Sequence, residues 1–177
     1  SPLLSNIVLD EFDRELERRG LRCSRYADDS NIYVRSRRAG QRVMESVTRW
    51  LTTKLKLKVN EQKSAVARPW ERKFLGFSFT AARKPKRRIA PKAIGRFKER
   101  VRELTRRTRG VSIERMAEDL TRYLRGWLGY FGKCQTPSVL TGLEAWLRRR
   151  LRSTIWKQWK RWTVRFAELR RRGVSQD

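Results

Sequence analysis

From Arg83 to Arg172 the chain carries 28 Lys and Arg against 7 Asp and Glu, and apolar side chains spaced three and four apart run through the same segment. Repulsion on that scale opposes any compact state. The segment can therefore fold only by keeping its cations outside continuous apolar stripes, as one-sided helices do. Ile94, Phe97, Val101 and Leu104 mark one such helix. Met116, Leu120, Tyr123, Leu124, Trp127 and Leu128 mark a second, closed by the glycines of GWLGYFGK. Leu140, Leu143, Leu147, Leu151, Ile155, Trp159 and Trp162 mark a third, long one. Three stripes of this kind can bury one another as a small bundle.

The preceding part is milder in charge and mixed in pattern. SPLLSNIVLDEFDRELERRG predicts a helix that starts at Ser1 and Pro2, repeats Leu4, Ile7, Val8, Phe12 and Leu16 on one face, and stops at Gly20. Leu21 to Ala27 and Ile32 to Val34 read as two short strands around the turn-tolerant residues Asp28, Asp29, Ser30 and Asn31. A helix is expected from Gln41 to Lys54, with Val43, Val47, Trp50 and Leu51 inward. LKLKV alternates at period two, and FLGFSF, Phe74 to Phe79, reads as a further strand. The class is α+β with antiparallel elements, followed by an all-α three-helix bundle. The run AARKPKRRIAP divides them, so the expected organisation is a mixed domain over 1–82, a basic linker over 83–92 and a helical domain over 93–177.

The net charge of +27 and pI near 11.5 call for a polyanionic partner, and nucleic acid is the commonest. A membrane surface competes poorly: no window approaches about 18 consecutive apolar residues, and no amino-terminal signal pattern appears. A soluble intracellular protein is expected. An apolar fraction of 38% with seven Trp argues against a disordered tail. Cys23 and Cys134, far apart and outside any Cys-x-x-Cys, read as small buried hydrophobes. Histidine is absent, so chemistry must rest on carboxylates, lysine or bound metal.

The adjacent carboxylates lie in YADDSNIYV, Tyr26 to Val34. With residues two apart on one face of a strand, Tyr26 and Asp28 are expected to point the same way, with Asp29 beside them. Two carboxylates this close repel unless a cation lies between them, and Mg²⁺ is usually held by one or two carboxylates plus substrate phosphates. Such a pair suits phosphoryl transfer, in which one ion activates a hydroxyl and a second, about 3.5 to 4 Å away, stabilises departing pyrophosphate. On spacing alone, however, Asp-Asp-Ser-Asn is better explained by a polar turn.

The surrounding words carry more information. YADD followed by an apolar strand resembles the metal-binding hairpin of reverse transcriptases. SPLLSNIVLDEFDREL before it, KLKLKVNEQKS and FLGFSF after it, are similar to the group II intron branch. RYLRGWLGYF, QTPSVL and WLRRRLR, within the stretch from about Phe97 to Arg172, are similar to the maturase-specific thumb region of the same intron-encoded proteins. The resemblance covers essentially the whole chain in the family's order. It implies a partial reverse-transcriptase palm followed by a thumb/maturase helical domain, and an RNA-directed DNA polymerase that also helps its intron RNA fold and splice. The partners implied are intron RNA, template RNA, a DNA primer and deoxynucleoside triphosphates, in a cytoplasmic, bacterial setting without a membrane.

Carried over residue by residue, Asp28 and Asp29 would be catalytic Mg²⁺ ligands, with Tyr26 and Ala27 near the primer end and incoming nucleotide. Lys63 matches a basic position near the nucleotide phosphates, although an exposed lysine explains it equally well. Ser1 to Asn6 match the end of a motif lining the nucleotide and template site. Phe74 to Phe79 match the strand element that grips the primer, though core packing accounts better for Phe74, Leu75, Phe77 and Phe79. The family's palm uses a third aspartate, on a strand amino-terminal to everything present here, and its fingers also precede this point. Asp10, Glu11 and Asp13 read as the solvated face of a helix, not as substitutes. Alone, the chain is expected to be a poor polymerase. The family's optional carboxy-terminal endonuclease is likewise expected to be missing after RRRGVSQD.

The nucleic-acid surface is expected at Arg83, Lys84, Lys86, Arg87, Arg88, Arg106, Arg107, Arg109, Arg148, Arg149, Arg150, Lys157, Lys160 and Arg161, where cations can track phosphates. Trp146, Trp156, Trp159 and Trp162 could stack on bases but at this spacing are more simply core; Trp159 is assigned to the core and Trp156 left open. Two functions remain: a reverse-transcriptase piece whose hairpin holds Mg²⁺, and a non-catalytic RNA-binding maturase remnant. A generic DNA-binding protein is a weaker third.

Overall fold

The computed structural model describes residues 2–174, except for the side chains of Pro2 and Arg107. It is a mixture of six helices and two small antiparallel sheets among these residues. The chain separates into two compact units, 1–68 and 69–177.

In the first unit, α1 (Pro2–Arg18) is followed by β1 (Arg22–Tyr26), β2 (Asp29–Tyr33) and α2 (Arg37–Thr53). α1 ends where the sequence predicts. Gly20 adopts φ +66, its N–H bonds Glu17 O, and the Leu21 N–H bonds Leu16 O at 3.0 Å. That is a Schellman stop, which needs a residue free to enter the left-handed region and carries Leu21 back onto Leu16. α2 starts earlier than its apolar stripe suggests, because the Ser36 hydroxyl caps the Ala39 N–H at 3.2 Å. Phe12, Leu16 and Val47 form the core, with Leu9, Leu21, Cys23, Ile32, Val43, Trp50, Leu51 and Leu55 around them. Only the later half of the α1 stripe is covered: Leu4 and Ile7 stay more than 60% exposed. LKLKV forms no strand. Alternation alone cannot make one without a partner to take up its hydrogen bonds.

In the second unit, β3 (Phe77–Phe79) pairs with β4 (Arg87–Ile89). Only the end of FLGFSF is strand. Phe74 and Phe77 exchange two 2.9 Å backbone bonds around Leu75 and Gly76, whose φ values are 51 and 77. Both central residues of this tight turn are left-handed, as a type I′ turn requires. Residues 83–92, expected as a linker, contain β4 and the first two residues of the next helix. The pairing that recruits them lies in residues 77–79 and has no local signature.

The helices of this unit are α3 (Pro91–Leu104), α4 (Ile113–Phe131), α5 (Pro137–Gln158) and α6 (Trp162–Arg171), with a 3₁₀ turn at Arg107–Arg109. Phe97, Val101, Leu104, Leu120 and Leu143 form the core, with Tyr123, Trp127 and Trp146 packed against it. These are the predicted stripes of α3, α4 and α5. Two expectations need correction. Gly126 and Gly129 lie inside α4, and only Gly132 caps it. The third helix does not run through Trp162: it ends at Gln158, and Trp159 leaves helical geometry at ψ 79. Arg165 Nε then donates to the freed Trp159 carbonyl at 2.7 Å, and α6 forms a fourth helix. Trp159 is half-buried and lies outside the core cluster.

Candidate metal-binding hairpin and nucleic-acid interface

β1 and β2 pair in the register Arg22↔Tyr33, Cys23↔Ile32, Ser24↔Asn31, Arg25↔Ser30 and Tyr26↔Asp29. The connection is thus Ala27 and Asp28 alone, two residues shorter than the predicted turn, and Asp29, Ser30 and Asn31 belong to β2. Directly opposed residues share a face. Cys23 and Ile32 pack on the core, so Tyr26 and Asp29 lie together on the opposite face. Tyr26 is 63% exposed. The expected partnership of Tyr26 with Asp28 is replaced by Tyr26 with Asp29, because a two-residue loop closes the ladder there. Ala27 takes φ 50, the positive value that two-residue hairpin loops favour at their first position and that a side chain makes costly.

Asp28 is held from α1. The Ser5 hydroxyl donates to its Oδ1 at 2.6 Å. Arg25 grips the other side of the turn. Its Nε donates to Asp13 Oδ1 at 2.9 Å, a terminal nitrogen bonds Asp13 Oδ2, and its other terminal nitrogen bonds Asn6 Oδ1 at 2.9 Å and Ala27 O at 3.1 Å. The Asp13 carboxylate holds the Arg25 guanidinium above its ordinary pKa. Asp13 is therefore half-buried and paired, not part of a solvated face. Asp10 does face solvent, in an exposed pair with Arg14 at 2.9 Å. The hydrogen bonds from Ser5 to Asp28 and from Arg25 to Asn6, Asp13 and Ala27 escaped the sequence reading. Asn6 and Asp13 show only as polar residues seven apart on one side of α1, Ser5 falls in line with Phe12 and Leu16, and Arg25 lies on β1 with no such signal.

Tyr26, Ala27, Asp28 and Asp29 thus gather at one hairpin tip, all exposed. Lys63 lies on the loop after α2, exposed, with its backbone N–H turned to Asn60. Ser1 lies outside the described residues. No group of three His, Cys, Asp or Glu side chains is placed to hold a metal among the described residues. Two carboxylates at the tip, one with an oxygen already satisfied by Ser5, still fit an ion that completes its shell with water and phosphate oxygens.

The expected nucleic-acid residues divide by their surroundings. Arg83, Lys84, Lys86, Arg106, Arg149, Lys157, Lys160 and Arg161 are exposed. Arg148 is exposed but paired with Glu144 at 2.6 Å. Arg87, Arg109 and Arg150 are tied into the fold. Arg87 donates to Lys133 O and lies over the Phe77 ring. Arg88 is half-buried, its Nε without a partner among the described residues. Arg109 bridges Leu104 O and Asp119, both at 2.8 Å, and that contact lowers the Asp119 pKa. Arg150 donates to Thr105 Oγ1 at 2.6 Å, and burial, then the nearby Arg102, lowers its pKa. The Arg107 side chain lies outside the described residues.

Cations that the basic runs did not single out sit on the tryptophans. Lys98 and Arg102 both lie over Trp146, Arg165 over Trp156 and Arg172 over Trp159. Trp162, 75% exposed, is the most open of the four tryptophans. No helix among the described residues is long and apolar enough to cross a membrane.

Comparison with known proteins finds two family matches. Residues 1–79 match the family model for reverse transcriptase (RNA-dependent DNA polymerase), and residues 94–173 match that for the group II intron maturase-specific domain. No curated protein matches the chain. With the YADD hairpin inside the first match and the basic helices inside the second, the chain belongs to the group II intron reverse transcriptase/maturase family.

Proposed function

We propose that the first unit is a portion of a reverse-transcriptase palm in which Asp28 and Asp29 hold Mg²⁺ for RNA-directed DNA synthesis. Residues 93–177 form a thumb/maturase domain that binds intron RNA to assist splicing and mobility. The observation that carries this is the hairpin register, which gathers Asp28, Asp29, Tyr26 and Ala27 at one open tip. When bound there, divalent metal would supply charge neutralisation and activation of a hydroxyl for phosphoryl transfer. The chain's own residues supply the rest. Ser5 orients Asp28, Asp29 shares its face with Tyr26, and the open tip leaves room for primer and nucleotide. Lys63 is assigned to the nucleotide phosphates, and the exposed cations from Arg83 to Arg161 to the RNA backbone. Template RNA, a DNA primer and deoxynucleoside triphosphates are the remaining partners.

A second reading, RNA binding without catalysis, is favoured by one specific fact: a cluster of three acidic ligands is lacking among the described residues. One pair of measurements separates the two. RNA affinity should fall linearly in log salt, with a slope of about −0.7 per phosphate neutralised on a single strand; a flat profile sinks the electrostatic interface. Asp28→Asn and Asp29→Asn should leave that affinity unchanged while abolishing DNA synthesis when the chain is assayed within a polymerase-competent protein. Synthesis that survives both substitutions leaves only the non-catalytic reading.

A further inference from the structure

An isolated two-stranded hairpin is marginal in water, and this one ends on an alanine held at φ 50. A tip of this kind exchanges among conformers unless something outside the ladder holds it, and the direction of Asp28 would exchange with it. The restraint comes from α1. Ser5 bonds Asp28, and the next residue, Asn6, bonds Arg25. Asp13, seven positions on and so on the same helical face as Asn6, takes the guanidinium in a bidentate pair. The same guanidinium bonds the Ala27 carbonyl inside the turn.

We propose that Arg25 is a positioning residue for Asp28: by locking the Ala27 carbonyl to Asn6 and Asp13 of α1, it holds the tip where Ser5 reaches the carboxylate. This rests on the assignment of Asp28 and Asp29 as metal-holding residues. All three guanidinium nitrogens are used, on four acceptors belonging to three residues. Only a rigid planar fork reaches that set; a lysine ammonium is a compact point charge on a flexible stem. The Arg25 side chain is 15% exposed, and partial burial strengthens such bonds relative to open solvent. Asp13 neutralises the cation locally, so the charge of Asp28 and Asp29 stays available to a divalent ion.

The test uses the full chain, isotopically labelled, with Mn²⁺ as the probe. In the wild type, paramagnetic broadening should concentrate at the amides of residues 27–29. Arg25→Lys, which keeps the charge, and Arg25→Gln should each weaken Mn²⁺ binding by about tenfold, the lower end of losses seen when groups supporting a ligand are removed. Asn6→Ala keeps the Arg25–Asp13 pair and should shift affinity in the same direction by less; it carries the test if the Arg25 variants fail to fold. Arg19→Gln, which alters α1 contacts away from the turn, should change nothing. Wild-type affinity in Arg25→Lys, or tighter binding in Arg25→Gln, overturns the positioning role. Absence of broadening at 27–29 in the wild type overturns the metal assignment itself, and is seen before any variant is made.

Discussion

Ser5 and Asp28, 23 positions apart, are joined by a 2.6 Å hydrogen bond from the Ser5 hydroxyl to Asp28 Oδ1. The bond ties the first turns of α1 to the tip of the hairpin, and leaves the second Asp28 oxygen outside that bond.

Removing it should change orientation more than stability. Ser5→Ala is expected to lower the unfolding free energy by about 1 kcal/mol, because solvent readily replaces a bond at an exposed site. Denaturant titration measures this directly. A loss several times larger would mean that the hydroxyl supports the unit's core and not the direction of a carboxylate.

Gly40, buried in the first turn of α2, owes its identity to Val66. A Cβ built at Gly40 would lie 2.5 Å from Val66 Cγ1, and the stiff β-branched neighbour cannot swing away. Alanine would gain about 1 kcal/mol of helix propensity, against about 1–3 kcal/mol for overpacking. Gly40→Ala should therefore destabilise the protein, and adding Val66→Ala should recover part of the loss. A double-mutant cycle checks the pair: additive effects would show that the two do not meet.

Glu15 predicts an acid response. Hydrogen bonds from Arg18 and then Arg19 lower its pKa from 4.5 to about 2. A carboxylate depressed on folding contributes stability that is complete above its unfolded value and is lost as pH falls through the folded one. The end of α1 should thus loosen between pH 4.5 and about 2. Glu15→Gln should remove that part of the pH dependence. Its carboxyl resonance, followed by NMR, should titrate near 2; an ordinary midpoint would show that the two arginines do not hold it in solution.

Local chemistry was enough to write down much of this protein. The stop of α1 at Gly20 and the stripes of α3 and α4 depend only on neighbours within a few positions, where side-chain spacing and φ preference act directly. The words around YADD likewise identified the family without any contact being known. Where strands needed partners, the sequence was mute. LKLKV alternates as well as a strand should, yet has none to pair with, while RRI pairs with FSF across a segment that reads as linker. The register that moved Asp29 into β2 and opposite Tyr26 is a property of two strands closing on two residues. The grip of Arg25 on Asn6, Asp13 and Ala27, and of Ser5 on Asp28, spans as many as 23 positions. Only folding α1 against the hairpin brings those groups within hydrogen-bonding reach, because such bonds act over about 3 Å and leave no periodic trace along the chain.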